Sequence, residues 1–381
     1  MKNTGQIYQK KSIRSLQIVN VRWFNATAWY GIALTRLMRE HGHECLMVGL
    51  ENTESFRKAQ SLGLEPMALP LNTGNPLAMP SLLHSMRTLV RDFQPHIVNC
   101  HRGESYPLWA RLRATENFAL VRTRGDQRLP KSNLFNKILH QRFADAIIAT
   151  NSPMAQHMVD KMGVPASRVH TILGGVGESF YERDVLGRQQ VRAEFNWTQE
   201  HFVVGLLGRF DTVKAQRETI QAVARLRQAG MHHIRLMLAG FATSTSLAEV
   251  QAWIAEAGID DITVITGKRS DVTACIAAMD LGIVPSLWSE AIARAAVEIM
   301  ASGVPVVSST VGVMPDLLPA DAMFPVGDIA AMEAMLAKAM TNHTWREQLR
   351  QHCIHRMSSL RDVDFYHDTI DVYEQALRHR G

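Results

Sequence analysis

The sequence predicts an α/β protein that contains two doubly wound parallel sheets. Short apolar runs rich in β-branched residues alternate with segments of helical periodicity along most of the chain. Such alternation is typical of parallel strands connected by helices that cover both faces of a sheet. At 381 residues, 46% of them hydrophobic, the chain is long enough to bury two ordinary cores. We therefore expect a first domain over residues 1–182 and a second over residues 183–364.

The first domain is expected to begin with a strand, a helix and a second strand. An amphipathic segment over residues 29–40 predicts the helix, which stops at Gly42. Ligands bind beyond the carboxyl ends of parallel strands, so the residues that follow each strand are candidates for function. The predicted strands of this domain are residues 16–21, 45–50, 97–100, 119–123, 146–150 and 169–173.

The second domain is expected to follow a polar linker over residues 183–200. An Ala-rich segment over residues 219–229 predicts the helix after its first strand. The predicted strands of this domain are residues 202–208, 234–239, 262–266, 281–284 and 304–307.

Residues 281–308 carry the most informative pattern, because a strand, a polar turn, a helix and a second strand follow one another closely. Ser289 is the expected helix cap, and Glu290 and Glu298 lie eight residues apart. Eight helical steps advance the chain by about 12 Å, so the two carboxylates cannot form an acid/base pair on one bond. They can hold opposite ends of one long ligand, with a phosphate at the helix N-terminus between them. A capping Glu290 and a solvated Glu298 explain the same spacing equally well.

The stretch SEAIARAAVE, followed by GVPVV, resembles the E-x7-E signature of the retaining GT-B glycosyltransferases of family 4. The resemblance implies that Glu290 contacts the donor sugar and that Glu298 binds the ribose hydroxyls. Family members commonly carry Gly-Phe-Gly directly after the first Glu. This chain has Ala291, Ile292 and Ala293 instead.

The loops after two other strands also resemble the family, at positions that contact the nucleotide of the donor. Arg209 and Lys214 match the family's Gly-Arg…Lys element, in which the two cations neutralise the leaving diphosphate. Gly267 and Lys268 stand where the family's backbone usually meets the nucleobase. The start of the helix after Glu290 is expected to bind the diphosphate as well. The donor-binding residues implied are Arg209, Lys214, Gly267, Lys268, Ile292, Ala293, Arg294 and Glu298.

His101 directly follows the predicted strand 97–100. It matches the histidine that ends this strand in many GT-B enzymes and contacts the reacting sugar. An imidazole there can donate to a sugar hydroxyl or to charge that develops on the leaving group. The catalytic residues implied by the resemblance are therefore His101, Glu290, Arg209 and Lys214.

Two further loops of the first domain are candidates for the acceptor. The loop 22–27 lacks the Gly-Gly pair usual in the family, and its Arg22 and Asn25 are the candidate acceptor contacts. In the loop 123–130, Arg124 and Arg128 can clamp a phosphate or a sugar acid, since guanidinium binds such groups bidentately, and Asp126 can orient them.

The resemblance implies a GT-B fold, in which two Rossmann-like domains face an interdomain cleft. The acceptor would bind the first domain and the nucleotide sugar the second, and the C-terminal helix, about residues 365–381, would pack back on the first domain. Transfer would retain the anomeric configuration and need neither a metal nor another cofactor. Asp362 and Asp364 form a D-x-D, the metal signature of another glycosyltransferase architecture, but helix capping is the expected role.

Charge is unevenly distributed: residues 1–180 hold 22 Lys and Arg against 12 Asp and Glu. This excess favours an anionic partner for the first domain, with a membrane surface or a phosphorylated acceptor preferred to nucleic acid, for which no binding module is evident. The basic N-terminus has no apolar core of a secretory signal, and four separated cysteines indicate buried reduced thiols. We expect a cytoplasmic protein with peripheral contact to the inner face of the membrane.

The expected function is thus glycosyl transfer to an acceptor hydroxyl in cell-envelope glycan synthesis, such as the lipopolysaccharide core. A GT-B nucleotide-sugar epimerase or hydrolase is one alternative, and a non-catalytic nucleotide-sugar-binding protein is another. A Rossmann dehydrogenase is disfavoured, because the glycines at 174, 175 and 177 do not open a helix.

Overall fold

The computed structural model describes residues 12–380, so most of the basic N-terminus lies outside the described residues. The chain forms two compact units, one containing the residues up to Ile172 and from Tyr366 onward, the other Leu173–Phe365. Each unit contains one sheet whose strands are all parallel, with helices in the connections. The α/β fold with two parallel sheets, predicted from the sequence, is confirmed.

The first sheet has the strand order β3-β2-β1-β4-β5-β6-β7. The two-residue edge strand β3 was not predicted, because both of its side chains are exposed and it forms no apolar run. The strands are Arg14–Val19 (β1), Glu44–Gly49 (β2), Met67–Ala68 (β3), Ile97–Cys100 (β4), Ala119–Arg124 (β5), Ala146–Ala149 (β6) and Val169–Thr171 (β7).

The second sheet has the order β10-β9-β8-β11-β12-β13. Its edge strand β13 is again only two residues long and was not predicted. The strands are Phe202–Leu207 (β8), Ile234–Ala239 (β9), Thr263–Ile265 (β10), Leu281–Val284 (β11), Val306–Ser309 (β12) and Met323–Phe324 (β13).

Helices connect the strands, and within residues 12–380 no helix combines the length and the apolar character that a membrane span requires. In chain order they are Ala26–Glu40 (α1), Glu54–Ser61 (α2), Met79–Phe93 (α3), Tyr106–Arg113 (α4), Leu134–Phe143 (α5), Ser152–Asp160 (α6), Val185–Glu194 (α7), Gln216–Gln228 (α8), Leu247–Ala257 (α9), Val272–Ala278 (α10), Arg294–Ala301 (α11), Met314–Leu317 (α12), Ile329–Thr341 (α13), His343–Met357 (α14) and Asp362–Arg378 (α15).

Helix α7 occupies the stretch predicted as a linker, and that prediction was wrong. Asp184 caps the helix by accepting a hydrogen bond from the Gly187 amide at 2.7 Å. Two arginines on its inner face, Arg188 and Arg192, pair with Asp280 at 2.7 and 3.1 Å. The stretch looked like a linker because two of the side chains that anchor the helix are arginines, and their partner lies just before β11.

From Tyr366 onward, helix α15 belongs to the first unit. Tyr373 is fully buried there, and its hydroxyl accepts hydrogen bonds from Gln17 on β1 at 3.0 Å and Asn99 on β4 at 2.9 Å. The four cysteines are buried as free thiols, Cys45 and Cys100 in this unit, Cys275 and Cys353 in the other.

Candidate active site

The predicted donor-binding residues of the second unit follow the carboxyl ends of three strands. Arg209 and Lys214 follow β8, Gly267 and Lys268 follow β10, and the loop that contains Glu290 follows β11. Strand β8 lies between β9 and β11, with β10 beyond β9. Residues far apart in the sequence therefore meet at one edge of the sheet.

Glu290 and Lys214 form an ion pair, although they lie 76 positions apart. Ser286 donates a hydrogen bond to the same carboxylate oxygen, Oε1, of Glu290. The Glu290 side chain is only 5% exposed, and that of Lys214 is 20% exposed. Both loops are joined through the backbone as well, because the Leu287 amide donates to the Val213 carbonyl at 2.8 Å. Glu290 and Lys214, both predicted to be catalytic, are thus held together by an ion pair and by a backbone hydrogen bond between their loops.

The backbone of Glu290 is held by a loop that the sequence analysis did not assign to the site. The Val313 amide donates to the Glu290 carbonyl oxygen at 2.8 Å. Gly312 has φ +59°, and a Cβ atom on it would clash with that carbonyl oxygen. Only glycine suits this position, because the conformation is left-handed and the loops approach too closely for a side chain.

Arg209 is held at the surface by Asp211. The guanidinium of Arg209 reaches Asp211 Oδ2 at 3.0 Å and remains 45% exposed. The other oxygen of Asp211 accepts from the Val213 amide at 3.1 Å and thereby caps the 3₁₀ turn Thr212–Lys214. Asp211 was missed by the sequence analysis, although a carboxylate two residues after Arg209 could have indicated it.

The N-termini of helices α8 and α11 have no side-chain caps. Each follows an alanine in the left-handed region, Ala215 with φ 53° and Ala293 with φ 48°. The prediction that Ser289 caps the helix was wrong, because the chain turns through Ala293 and α11 begins only at Arg294. The first amides of a helix have no intrahelical acceptor, so without a cap they suit an anion.

Glu298 forms an ion pair with Arg294 one turn earlier on α11. The Arg294 guanidinium lies 2.7 Å from Glu298 Oε1, and its other terminal nitrogen donates to the Gly175 carbonyl at 2.6 Å. Both side chains are less than a fifth exposed. A Cβ on Gly175 would lie 2.7 Å from the Cα of Asp362, so a glycine is needed for this close approach.

An exposed aromatic ring lies beside the predicted nucleobase position. The Lys268 ammonium lies 5.7 Å from the centroid of the Phe241 ring, which is 47% exposed and follows β9. Gly267 adopts φ +69°. Phe241 was not singled out from the sequence, where it is one of 13 phenylalanines.

In the first unit, the imidazole of His101 is fully buried at the end of β4. Its Nε2 lies 3.0 Å from Gln17 Oε1 and donates to it, because the amide nitrogen of Gln17 faces Tyr373. Burial, with the nearby charge of Arg122, lowers the pKa of His101 to about 3. The ring is therefore neutral, and no described residue forms a hydrogen bond with its Nδ1. The catalytic role of His101 stays a prediction.

The loop 22–27 does not need the missing glycine pair. Asn25 has φ −129° and caps α1 by accepting a hydrogen bond from the Ala28 amide at 3.0 Å. Its neighbours Trp23 and Phe24 are 65% and 40% exposed. The loop thus begins α1 in an ordinary extended conformation and presents two aromatic side chains to solvent.

Metal ligands are not clustered in the described residues 12–380: no three His, Cys, Asp or Glu side chains are grouped to hold an ion. Asp364 of the D-x-D accepts from the Arg361 amide at 2.9 Å, which is the helix-capping role predicted for it.

Two family models match the chain. One, described as glycosyl transferases group 1, matches residues 201–342, and the other, described as glycosyltransferase family 4, matches residues 28–180. A curated relative, the D-inositol 3-phosphate glycosyltransferase of Mycobacterium marinum, is 32% identical over 178 residues, which are 45% of this chain and 36% of that protein. The first curated relatives are matched over only about a third of their own length.

Solved structures share the fold over nearly the whole chain. Anabaena Alr3699/HepE in complex with UDP superposes with a TM-score of 0.82 at 16% identity and covers 94% of this chain and 99% of that one. The lipopolysaccharide outer core galactosyltransferase WaaB in its apo form gives a TM-score of 0.70 at 14% identity and covers 94% and 98%. The two parallel sheets are thus those of the GT-B class. Within that class, the chain belongs to the group 1 glycosyltransferases of family 4.

Proposed function

We propose that this protein transfers a sugar from a nucleotide diphosphate sugar to an acceptor hydroxyl, with retention and without a metal. The observation that carries the proposal is the pairing of Lys214 with Glu290 beside Arg209 and two uncapped helix N-termini. Cations and helix N-termini without side-chain caps favour a diphosphate, and a carboxylate next to them favours sugar hydroxyls.

In this proposal the donor lies along the carboxyl edge of the second sheet. Arg209, Lys214 and the α11 N-terminus at Ile292, Ala293 and Arg294 hold the diphosphate. Glu298 binds the ribose hydroxyls. The backbone at Gly267 and Lys268 meets the base, and the exposed ring of Phe241 offers it a stacking surface.

The chemistry is electrostatic rather than nucleophilic. The bond from the anomeric carbon to the diphosphate oxygen breaks, and the acceptor oxygen forms the new bond on the same face. The acceptor proton passes to the departing diphosphate. Arg209 and Lys214 stabilise the charge that accumulates there. Glu290 positions the sugar, since Lys214 and Ser286 already occupy one of its oxygens.

His101 is the proposed catalytic residue of the first unit. Its neutral ring donates from Nε2 to Gln17, which leaves Nδ1 as an acceptor for a hydroxyl of the reacting sugar. Gln17 fixes the ring orientation through its own bond to Tyr373.

The acceptor is proposed to be a cell-envelope glycan at a membrane surface, as in the lipopolysaccharide core. Helix α5 supports this proposal with an exposed apolar face, on which Leu134, Phe135 and Ile138 are 74%, 63% and 45% exposed. Lys131 and Arg142 flank that face and are exposed as well. Apolar side chains between basic ones suit the headgroup region of an anionic membrane. The resemblance in fold to WaaB, named for lipopolysaccharide, agrees with this acceptor class.

Calorimetric titration with UDP, GDP, ADP and CMP tests the donor site. UDP is the first choice because HepE was crystallised with it. We expect one nucleotide to bind, and Lys214→Ala and Glu298→Ala to weaken it about tenfold or more, since each removes a charge-assisted contact. Arg227→Ala, at the other end of α8, is the matched control and should bind as the wild type does. Absence of binding, or no effect of the two substitutions, would contradict the proposed site.

Turnover of the matching nucleotide sugar separates the alternatives. A glycosyltransferase consumes the donor only when an acceptor is present, whereas a hydrolase or epimerase consumes or converts it alone. A non-catalytic binder does neither. Donor consumption that does not depend on a membrane extract containing acceptor would contradict glycosyl transfer.

A further inference from the structure

Three arginines converge at the carboxyl ends of β4 and β5 in the first unit. Arg102 lies just beyond β4, and Arg122 and Arg124 are among the last three residues of β5. The Arg122 side chain is fully buried, and that of Arg124 is 9% exposed. Arg102 is about one-third exposed and forms the rim. A buried guanidinium is costly unless acceptors surround it, so its partners decide what the cluster can do.

The buried arginines have donors without acceptors. Arg122 donates from Nη1 to the Cys100 carbonyl at 2.6 Å, but its Nε and Nη2 have no hydrogen-bond partner among the described residues. Arg124 donates from Nη2 to the Arg128 carbonyl at 3.0 Å, and its Nε also lacks a partner there. A buried donor without an acceptor costs about 1–3 kcal/mol, and more when it is charged.

A single carboxylate serves all three arginines. Asp126 lies 3.0 Å from Arg102, but 3.5 Å from Arg122 and 3.6 Å from Arg124, which is too far for strong hydrogen bonds. Among the residues that the structure describes, Glu104 forms an ion pair only with Arg102. Burial, together with the charge of Arg122, lowers the pKa of Arg124 to about 10. The cluster therefore has a deficit of negative charge at its buried end.

Two aromatic side chains, Tyr106 and His140, pack near the Arg122 guanidinium. The Tyr106 ring lies 5.7 Å from the Arg122 guanidinium and 5.3 Å from the ring of His140. The hydroxyls of Ser105 and Tyr106 and the Nε2 of His140 are buried without a hydrogen-bond partner among the described residues. The unpaired guanidinium donors suit a group that offers several oxygen acceptors.

We propose that Arg102, Arg122 and Arg124 bind a phosphate monoester carried by the acceptor substrate. A phosphate supplies up to two negative charges and three acceptor oxygens, which matches three guanidinium groups better than the single charge and two oxygens of a carboxylate. The inference rests on the proposed function in one respect, because only a glycosyltransferase has an acceptor substrate that could carry the phosphate. The anion site itself does not depend on glycosyl transfer.

Asp126 occupies the place of the ligand in this proposal. Its carboxylate competes with phosphate for the same guanidinium groups, so its removal should strengthen phosphate binding. A purely structural role predicts the opposite, because loss of the shared Asp126 counterion would then loosen the three arginines. The sign of the effect of Asp126→Asn thus distinguishes the two roles.

The test is calorimetric titration of the full chain with inorganic phosphate, in the presence of saturating UDP and in a Lys214→Ala background, so that the donor site does not contribute. We expect Arg124→Gln to weaken phosphate binding about tenfold, or ~1.4 kcal/mol, and Asp126→Asn to strengthen it several-fold. Arg111→Gln removes an exposed charge from neighbouring helix α4 and should leave the affinity unchanged.

Several outcomes would overturn the site. Equal phosphate affinity in the parent, Arg124→Gln and Asp126→Asn proteins excludes the arginine cluster. If Arg124→Gln fails to fold, Asp126→Asn decides alone, and unchanged or weaker binding rejects the proposal. Acetate binding as tightly as phosphate would reassign the ligand as a carboxylate. A UDP titration of the protein with Lys214 intact tests the donor site separately. If UDP does not bind, the proposed donor site is contradicted, but the phosphate titration still tests the arginine cluster.

Discussion

Gly312 packs directly against the carbonyl oxygen of Glu290, and the position leaves no room for a side chain. The left-handed φ of +59° and the contact with the Glu290 carbonyl together exclude any other residue. The loop after β12 thereby fixes the backbone from which the Glu290 carboxylate reaches Lys214.

Gly312→Ala should lower the free energy of unfolding by more than about 2 kcal/mol, because it adds a clash to the left-handed strain. Gly258→Ala is the matched control: it shares the left-handed conformation, with φ +65°, but a Cβ there meets nothing within 4 Å. It should cost only about 1 kcal/mol. Urea denaturation measures both, and equal losses would show that the contact with Glu290 is unimportant.

Ala293→Gly should leave stability unchanged or raise it by up to about 1 kcal/mol. Glycine removes the left-handed strain at φ 48°, and the greater freedom of the unfolded chain offsets part of the gain. Ala296→Gly, inside α11, is the comparison and should destabilise the protein by about 1 kcal/mol. Thermal or urea unfolding of the pair checks this, and a loss at position 293 as large as at 296 would contradict the strain.

Tyr373→Phe should destabilise the first unit by about 1–3 kcal/mol. The substitution leaves the buried amide groups of Gln17 and Asn99 without their acceptor, while the ring itself still fits. Within residues 12–380 the Tyr366 hydroxyl forms a hydrogen bond only with His43, at 2.7 Å, so Tyr366→Phe should cost less. Equilibrium denaturation ranks the two variants, and the reverse order would show that the Tyr373 hydroxyl is dispensable.

Stability should fall as the pH drops from about 6.5 toward 4. Burial lowers the pKa of His101 to about 3 and that of His140 to about 4, so the unfolded chain binds more protons than the folded one in this window. Each such histidine contributes a slope of about 1.4 kcal/mol per pH unit. His140→Gln should reduce the pH slope of stability by about 1.4 kcal/mol per pH unit. Urea titrations at several pH values give the slope directly, and an unchanged slope in His140→Gln would refute the assignment.

The sequence predicted the elements whose buried side chains are apolar. It missed a helix that is held by charged side chains and two strands that are very short. Strands β4, β5 and β11 were placed within a residue or two because buried parallel strands are continuous apolar runs. Helix α7 was missed because arginines bonded to Asp280 hold its inner face. The strands β3 and β13 are too short to leave a pattern.

The candidate site shows the same division. Spacing and resemblance selected Glu290 and Lys214, which the structure brings together. Nothing local predicts that Gly312, 22 residues after Glu290 in the chain, packs on its carbonyl, since that contact depends on the order of β11 and β12 in the sheet. The left-handed conformation of Ala293 could not be predicted for a different reason, because alanine normally continues a helix.

The buried thiols can report the rate at which each unit opens. Burial raises the pKa of Cys100 and of Cys353 to about 12, so neither reacts with an alkylating reagent near neutral pH until its surroundings come apart. Cys100 lies in the first unit and Cys353 in the second. Mass spectrometry of alkylated peptides over time therefore measures how often each unit opens under native conditions. The experiment needs no substitution in the protein and shows which of the two units opens first.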